Sequence, residues 1–294
     1  MDPEMNGLGR HARLPAPAKL NLFLHVLGRR DDGRHALQTL FQLLDFGDEI
    51  DLVPREDGLI MRATDDVRIP GDEDLCVRAA HLLKRHTGCA SGVSIHVKKR
   101  IPMGGGLGGG SSDAATCLVG LNALWGLGLD LDELAGLGLR LGADVPVFVR
   151  GQTAFAQGVG EQLTPLPQPE LWFCVVTPDC HVSTAEVFAA PELTRDTPAL
   201  KISDLLAHQA DLKNDCWPVV ARRYAAVRAA FDLLSRHAPA RMSGTGASVF
   251  AAFGSREEAM RVATTVPEDW SVFVARGINR SPLHEAVKQL TTGV

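Results

Sequence analysis

Residues 101–115 read IPMGGGLGGGSSDAA. Six glycines fall in the seven positions from Gly104 to Gly110, and Ser111, Ser112 and Asp113 follow. Glycine loses the most backbone entropy on folding and buries no side chain, so such a cluster needs a reason. The flanks supply one. GVSIHVKK (92–99) alternates at period two, which predicts a strand. Beyond the glycines, Ala114, Leu118, Leu121 and Trp125 fall at helical spacing, with Ser111, Ser112 and Asp113 offering an N-cap and a first-turn acid. Strand, glycine loop and helix N-terminus in that order make an anion site. Bare N–H groups point at the ligand, the helix dipole favours negative charge, and no Cβ blocks a phosphate. A flexible linker would not sit tightly between a strand and a capped helix.

The loop is not a P-loop, because no Gly-Lys-Ser/Thr follows the glycines. Gly104, Gly106 and Gly109 do satisfy G-x-G-x-x-G, with Asp130 about 20 residues on, as a dinucleotide site wants. Any glycine-dense loop meets that pattern, and Asp130 sits in GLGLDLDELAG rather than at the end of a second strand. An NAD-dependent oxidoreductase stays as the alternative from another class.

Composition narrows the field. The 294 residues suit one large domain or two ordinary ones. The net charge is -5 and no basic run exceeds Lys98–Lys99–Arg100, which argues against a polynucleotide partner. The first residues lack the apolar core of a signal peptide, and no apolar run approaches the ~20 residues of a membrane span. Six scattered cysteines without CxxC argue against structural zinc and suit a reducing cytoplasm. His81 and His86 are five apart and no HExxH occurs, so the histidines are read singly, and the protein ligands of any metal stay unknown.

Along the chain, PAKLNLFLHVLG (17–28), LQTLFQLLDF (37–46), EIDLV (49–53) and LIMRAT (59–64) read as strands, the second and third separated by Gly47-Asp48. LCVRAAHLLKRHTG (75–88) reads as a helix ending at glycine. TAFAQGVGEQLTPL (153–166) reads as a hairpin, and LPQPE (166–170) as the best domain boundary. LWFCVVTP then reads as a strand, and Val220, Tyr224, Val227, Phe231 and Leu234 as one helix. Strand, SGTGAS turn, strand, helix and strand close the chain. These are mixed α+β halves without regular βα alternation.

The stretch IPMGGGLGGGSSDAA resembles the second signature of the GHMP kinases, small-molecule kinases with their own phosphate loop. PAKLNLFLHV (17–26) resembles the first signature and SGTGASVFAAF (243–253) the third, in the right order. DDGRHALQTLFQLLDFGDEI (31–50), GADVPVFVRGQTAFAQGVGE (142–161) and PELTRDTP (191–198) resemble the branch whose acceptor is a cytidyl diphosphate methylerythritol. The resemblance spans most of the chain. It implies an α+β, two-domain fold, with a nucleotide-binding domain at residues 1–165, a ferredoxin-like domain at 166–294, and substrates in the cleft between. It implies ATP with Mg²⁺, a small-molecule partner, no membrane, and a monomer or weak homodimer. Homoserine or mevalonate as acceptor, and a catalytically dead nucleotide sensor, remain the neighbouring readings.

The same resemblance assigns roles. Asp144 in LGADVP becomes the general base; by itself a loop Asp is a cap or a surface ion pair. Lys19 becomes its partner; by itself a lysine in an apolar strand either snorkels or points into a site. Asn21, at i+2 on the same strand face, helps hold the substrate. Lys99, Met103, Gly104, Gly105, Gly106, Gly108, Gly109, Gly110, Ser111 and Ser112 surround the nucleotide, with plain N-capping as the other role of one serine. Asp74 stands where the family often has asparagine. His35 meets the cytosine and Phe188 stacks on it, although alone they read as a surface histidine and a core phenylalanine. Thr184, Gly244, Thr245 and Gly246 complete the substrate side. Arg34 departs from the family, which commonly has tyrosine there. An arginine plane can also stack on a base, or its charge could meet the substrate diphosphate; on the first role the expected clamp is Arg34 on one face and Phe188 on the other.

Overall fold

Two long antiparallel strands organise the molecule. In the computed structural model, which describes residues 11–63, 73–207 and 212–292, β1 (Ala12–Arg29) pairs along most of its length with β2 (His35–Arg55). The two strands read around Gly47-Asp48 are therefore one. A Cβ at Gly47 would lie 2.2 Å from the Ala16 carbonyl oxygen, so the glycine marks a close crossing and not a break. The first ten residues and Thr64 lie outside the described residues.

Next come β3 (Ile60–Arg62), α1 (Leu75–Thr87), β4 (Gly92–Lys98), α2 (Gly109–Leu124), α3 (Leu131–Leu139), α4 (Val145–Arg150), β5 (Ala154–Gln157) and β6 (Gln162–Pro165). Helix α1 starts where Asp74 accepts from Cys76 N and Val77 N, and ends at Gly88 in the left-handed region. Helix α2 is buried along most of its length against β1 and β2. A Cβ at Gly120 would come within 2.4 Å of Leu14, which lets the helix lie close on the sheet.

The second half holds β7 (Trp172–Thr177), α5 (Thr184–Ala189), α6 (Ile202–Leu206), α7 (Trp217–Arg223), α8 (Ala225–Ser235), β8 (Ala240–Met242), β9 (Val249–Phe253), α9 (Arg256–Ala263), β10 (Ser271–Ile278) and α10 (Pro282–Thr292). Its strands order as β10-β7-β9-β8. That is fourth, first, third, second in a β-α-β-β-α-β path, the ferredoxin-like arrangement. The helix expected over 220–234 is two. Tyr224 is extended (φ -124°, ψ 90°), and the chain turns so that Trp217 stacks on Phe231 with ring centroids 4.0 Å apart. Tertiary packing overrides the periodicity there.

The two halves meet edge to edge. Gly277 and Ile278 of β10 pair with Leu44 and Leu43 of β2. The last helix returns to the first half: Leu283 is buried in the core formed by β1, β2, α1, α2 and α4, with Ala286 and Val287 packed beside it. A second core lies under α7, α8 and α9 and takes in Leu24 and Val26 from β1. Among the described residues no helix is long and apolar enough to cross a membrane.

Candidate active site

The glycine loop runs from the end of β4 into α2, and the SGTGAS turn between β8 and β9 lies against it. Ala247 N donates to Gly104 O (3.3 Å), Ser248 N to Gly105 O (3.1 Å) and Ser243 Oγ to Gly106 O (2.8 Å). A Cβ on Gly105 would stand 2.5 Å from Ser248 Oγ, and one on Gly106 2.3 Å from Ser243 O. Gly106 also sits at φ +72°, where a side chain is strained. At these two positions the missing side chain makes room for protein as well as ligand. Gly108, at φ +74°, is the N-cap of α2, so Ser111 and Ser112 lie inside the first turn and neither caps it.

The loop divides two cavities, of about 1040 and 670 Å³, and Gly106, Gly108 and Ser111 line both. Lys19 stands on the larger side, 2% exposed. Its ammonium contacts Asp144 Oδ2 at 3.1 Å and donates to Asn21 Oδ1 at 2.5 Å and Gly106 O at 3.0 Å. Asn21 is held in turn: its Nδ2 donates to Thr39 Oγ1 (2.9 Å), whose hydroxyl donates to Phe23 O. Asp144 occupies the N-cap position of α4 but makes no side-chain capping bond, and its carboxylate is 33% exposed toward the cavity. A carboxylate free of the cap and held by a buried lysine can take a proton from a neighbouring hydroxyl.

The far end of the same cavity is aromatic and basic. His35 and Phe188 stack with centroids 5.1 Å apart and planes 23° apart. Arg195 Nε donates to His35 Nε2 at 3.2 Å. Burial, followed by the charges of Arg195 and Arg29, lowers the His35 pKa from its ordinary value, favouring neutral imidazole. Arg29 and Arg34 line this end too, as do Thr184, Gly244 and Thr245, the two threonine hydroxyls 2.8 Å apart. Because His35 covers one face of Phe188, a base cannot slip between those rings.

The smaller cavity is lined by Met103, Lys99, Asp74, Asp113 and the glycines from Gly104 to Gly110. Its charges are bonded to one another. Lys99 Nζ reaches Asp48 Oδ2 (2.5 Å) and Asp113 Oδ2 (2.8 Å), and Arg62 Nε reaches Asp74 Oδ2 (2.9 Å). Asp48 Oδ1 accepts from Arg100 N and Ile101 N, anchoring the start of the loop. Burial raises the Asp113 pKa to about 7 against the opposing pull of Lys99.

The structure thus brings together Lys19, Asn21, Asp144, His35, Arg34, Phe188, Thr184, Gly244 and Thr245 around one cavity, and Lys99, Met103 and the glycines around the other. Two expected residues stand apart. Ser112 is fully buried with its Oγ unpartnered and lines neither cavity, and Gly246 is turned toward Met242 and Val182 in the second core. Asp130, which the NAD reading requires, is exposed and caps α3 through Asp132 N and Glu133 N, in a capping box with Glu133. Arg195, Asp48, Ser243 and Thr39 were missed. All four lie in segments that carry the resemblance, Thr39 and Asp48 in 31–50, Arg195 in PELTRDTP and Ser243 at the start of the third signature, but nothing in the local pattern assigns them a role.

Two family models match the chain: "GHMP kinases N terminal domain" over residues 74–152 and "GHMP kinases C terminal" over 196–272. The chain belongs to the GHMP kinases. Within this superfamily it stands with the 4-diphosphocytidyl-2-C-methyl-D-erythritol kinases. The relative of that name from Pseudomonas aeruginosa (strain UCBPP-PA14) is 56% identical over 94% of this chain and 98% of its own. The one from Halorhodospira halophila is 57% identical over 92% and 94%. A crystal structure of 4-(cytidine 5'-diphospho)-2C-methyl-D-erythritol kinase superposes with a TM-score of 0.78 at 33% identity, covering 91% of this chain and all of that one. Homoserine kinase from Cytophaga hutchinsonii shares the GHMP kinase fold at 17% identity, with a TM-score of 0.66 over 95% and 98% of the two chains.

Proposed function

We propose that this protein transfers the γ-phosphoryl group of ATP to the 2-hydroxyl of 4-diphosphocytidyl-2-C-methyl-D-erythritol, a step of the non-mevalonate route to isoprenoid precursors. The observation that carries the reading is the Lys19–Asp144 pair beside the glycine loop where the two cavities meet. The names of relatives more than half identical over nearly the whole chain support the substrate. So does the far end of the acceptor cavity, where His35 and Phe188 offer a base pocket and Arg29 and Arg34 suit a diphosphate.

Asp144 accepts the hydroxyl proton as the alcohol oxygen attacks the γ-phosphorus, the bond to the β–γ bridging oxygen breaks, and ADP leaves. Lys19 orients the carboxylate and stabilises negative charge gathering on the attacking oxygen. Asn21 fixes the ammonium. The loop N–H groups and the N-terminus of α2 take the phosphate charge. Mg²⁺ would neutralise phosphate oxygens when bound. Among the described residues no cluster of three or more His, Cys, Asp or Glu side chains could hold a metal. The phosphates and the Ser111 hydroxyl are a fitting donor set for an ion that binds through few protein ligands. Residues 1–165 would form the nucleotide unit and 166–294 the other wall of the acceptor cavity, with α10 serving the first unit. The six free cysteines suit a reducing cytoplasm.

The test is ADP release from Mg-ATP with the cytidyl alcohol, with homoserine and mevalonate in parallel. Turnover with the cytidyl alcohol alone is expected. Activity on another alcohol in its place would keep the family and discard the substrate.

A further inference from the structure

We infer that Arg195 sets the tautomer of His35, and that the resulting Nδ1–H donor makes the acceptor cavity select cytosine over uracil. The inference rests on the cytidyl reading above. Arg195 cannot accept a hydrogen bond and stays protonated, so its Nε–H toward His35 Nε2 at 3.2 Å requires a lone pair there. A ring with its lone pair on Nε2 carries its proton on Nδ1. Burial and the neighbouring charges of Arg195 and Arg29 keep that ring neutral.

Arg195 has no freedom to do otherwise. Its remaining nitrogens donate to Leu193 O (3.1 Å), Phe188 O (2.8 Å) and Ala190 O (2.7 Å). These bonds tie the guanidinium to α5 and the turn after it, and with the bond to His35 they occupy four of its five N–H donors. The same anchor holds the backbone of Phe188, whose ring stacks on His35. Arg195 is therefore a positioning residue that fixes the ring's plane, its partner and its proton together. The consequence lies in the base. Cytosine N3 is an acceptor and uracil N3 carries a proton, whereas O2 is an acceptor in both. A fixed donor facing N3 pairs with cytosine and opposes uracil; facing O2 it would treat them alike.

Two measurements test this. Nitrogen NMR of ¹⁵N-histidine-labelled protein, with His35 assigned by its loss in His35→Asn, reads the tautomer directly. Calorimetry with CDP and UDP, with the nucleotide cavity filled by a non-hydrolysable ATP analogue, reads the selectivity. The expected result is a neutral ring protonated at Nδ1 and a preference for CDP on the order of tenfold or more. Arg195→Met should release the tautomer and bring the ratio near one. Arg195→Lys keeps a cation without the fixed fork, and should fold while lowering the ratio. A wild-type ring protonated at Nε2, equal binding of CDP and UDP, or an unchanged ratio in either variant would overturn the inference. Turnover of the cytidyl alcohol by a protein that binds CDP and UDP alike would remove this inference and leave the proposed function. A CDP preference without that turnover would do the reverse.

Discussion

On the side of the larger cavity, proposed for the acceptor, Asp144, Arg34 and Phe188 face open space. On the side of the smaller cavity, proposed for the nucleotide, Lys99, Asp48 and Asp113 are bonded together, as are Arg62 and Asp74, and much of the lining is glycine backbone. On the proposed function, the difference follows from what each side must distinguish. A single hydroxyl and a single base are told apart by side chains with directed donors and acceptors. A phosphate chain is held by N–H groups and a helix dipole. The paired charges on that side act at one remove, by fixing the loop's entrance and the first turn of α2.

The sharpest way to break this comparison is at Asp144. Asp144→Asn removes the proposed proton acceptor and keeps the shape, so kcat should fall by about 10²–10⁴ while the KM for ATP hardly moves. Steady-state kinetics with both substrates varied would check it. A large rise in the ATP KM would mean the two sides are not separable.

Gly106→Ala should act on both sides at once. The added Cβ would stand 2.3 Å from Ser243 O at φ +72°. We expect a stability loss of about 1–3 kcal/mol in a denaturant titration, with higher KM for both substrates. A rise confined to ATP would show that the loop does not brace the acceptor side.

Asp113→Asn tests the paired charges through pH. The Asp113 pKa is raised from 3.8 to about 7 in the folded state, so its contribution favours folding most below pH 4 and is lost as the pH rises through 7. Asp113→Asn should therefore gain melting temperature relative to the wild type as the pH moves from 5 to 8. A difference that does not change with pH would place the carboxylate's titration elsewhere. The smallest effect expected is from Arg34→Ala at the exposed rim, a rise of about three- to tenfold in the acceptor KM with the ATP KM unchanged. No change would remove Arg34 from the base clamp, and Arg34→Tyr leaving that KM unaltered would do the same.

Much of this was legible along the chain because it is local. Glycine density between a period-two strand and a period-3.6 helix marks the loop proposed to hold phosphate, and i to i+2 spacing puts Lys19 and Asn21 on one strand face, where their side chains bond. The ordered signatures carry the family. What could not be read comes from residues far apart in sequence. Ser243 bridges β1 and the loop through Asn21 N and Gly106 O, and Arg195 meets His35 across 160 positions. Asp48 sits next to a glycine that looks like a break and is a crossing. Tyr224 fits a helical stripe yet stands extended, because stacking Trp217 on Phe231 outweighs a few tenths of a kcal/mol of propensity. The sequence by itself determined the strand, the loop and the helix around the glycines and most of the chemical types at the site. Only the tertiary structure decided which hydroxyls stay outside the cavities, which charges cancel, and which nitrogen of His35 accepts the hydrogen bond from Arg195. Those choices depend on burial and on contacts between distant segments, and neither leaves a period or a spacing in the chain.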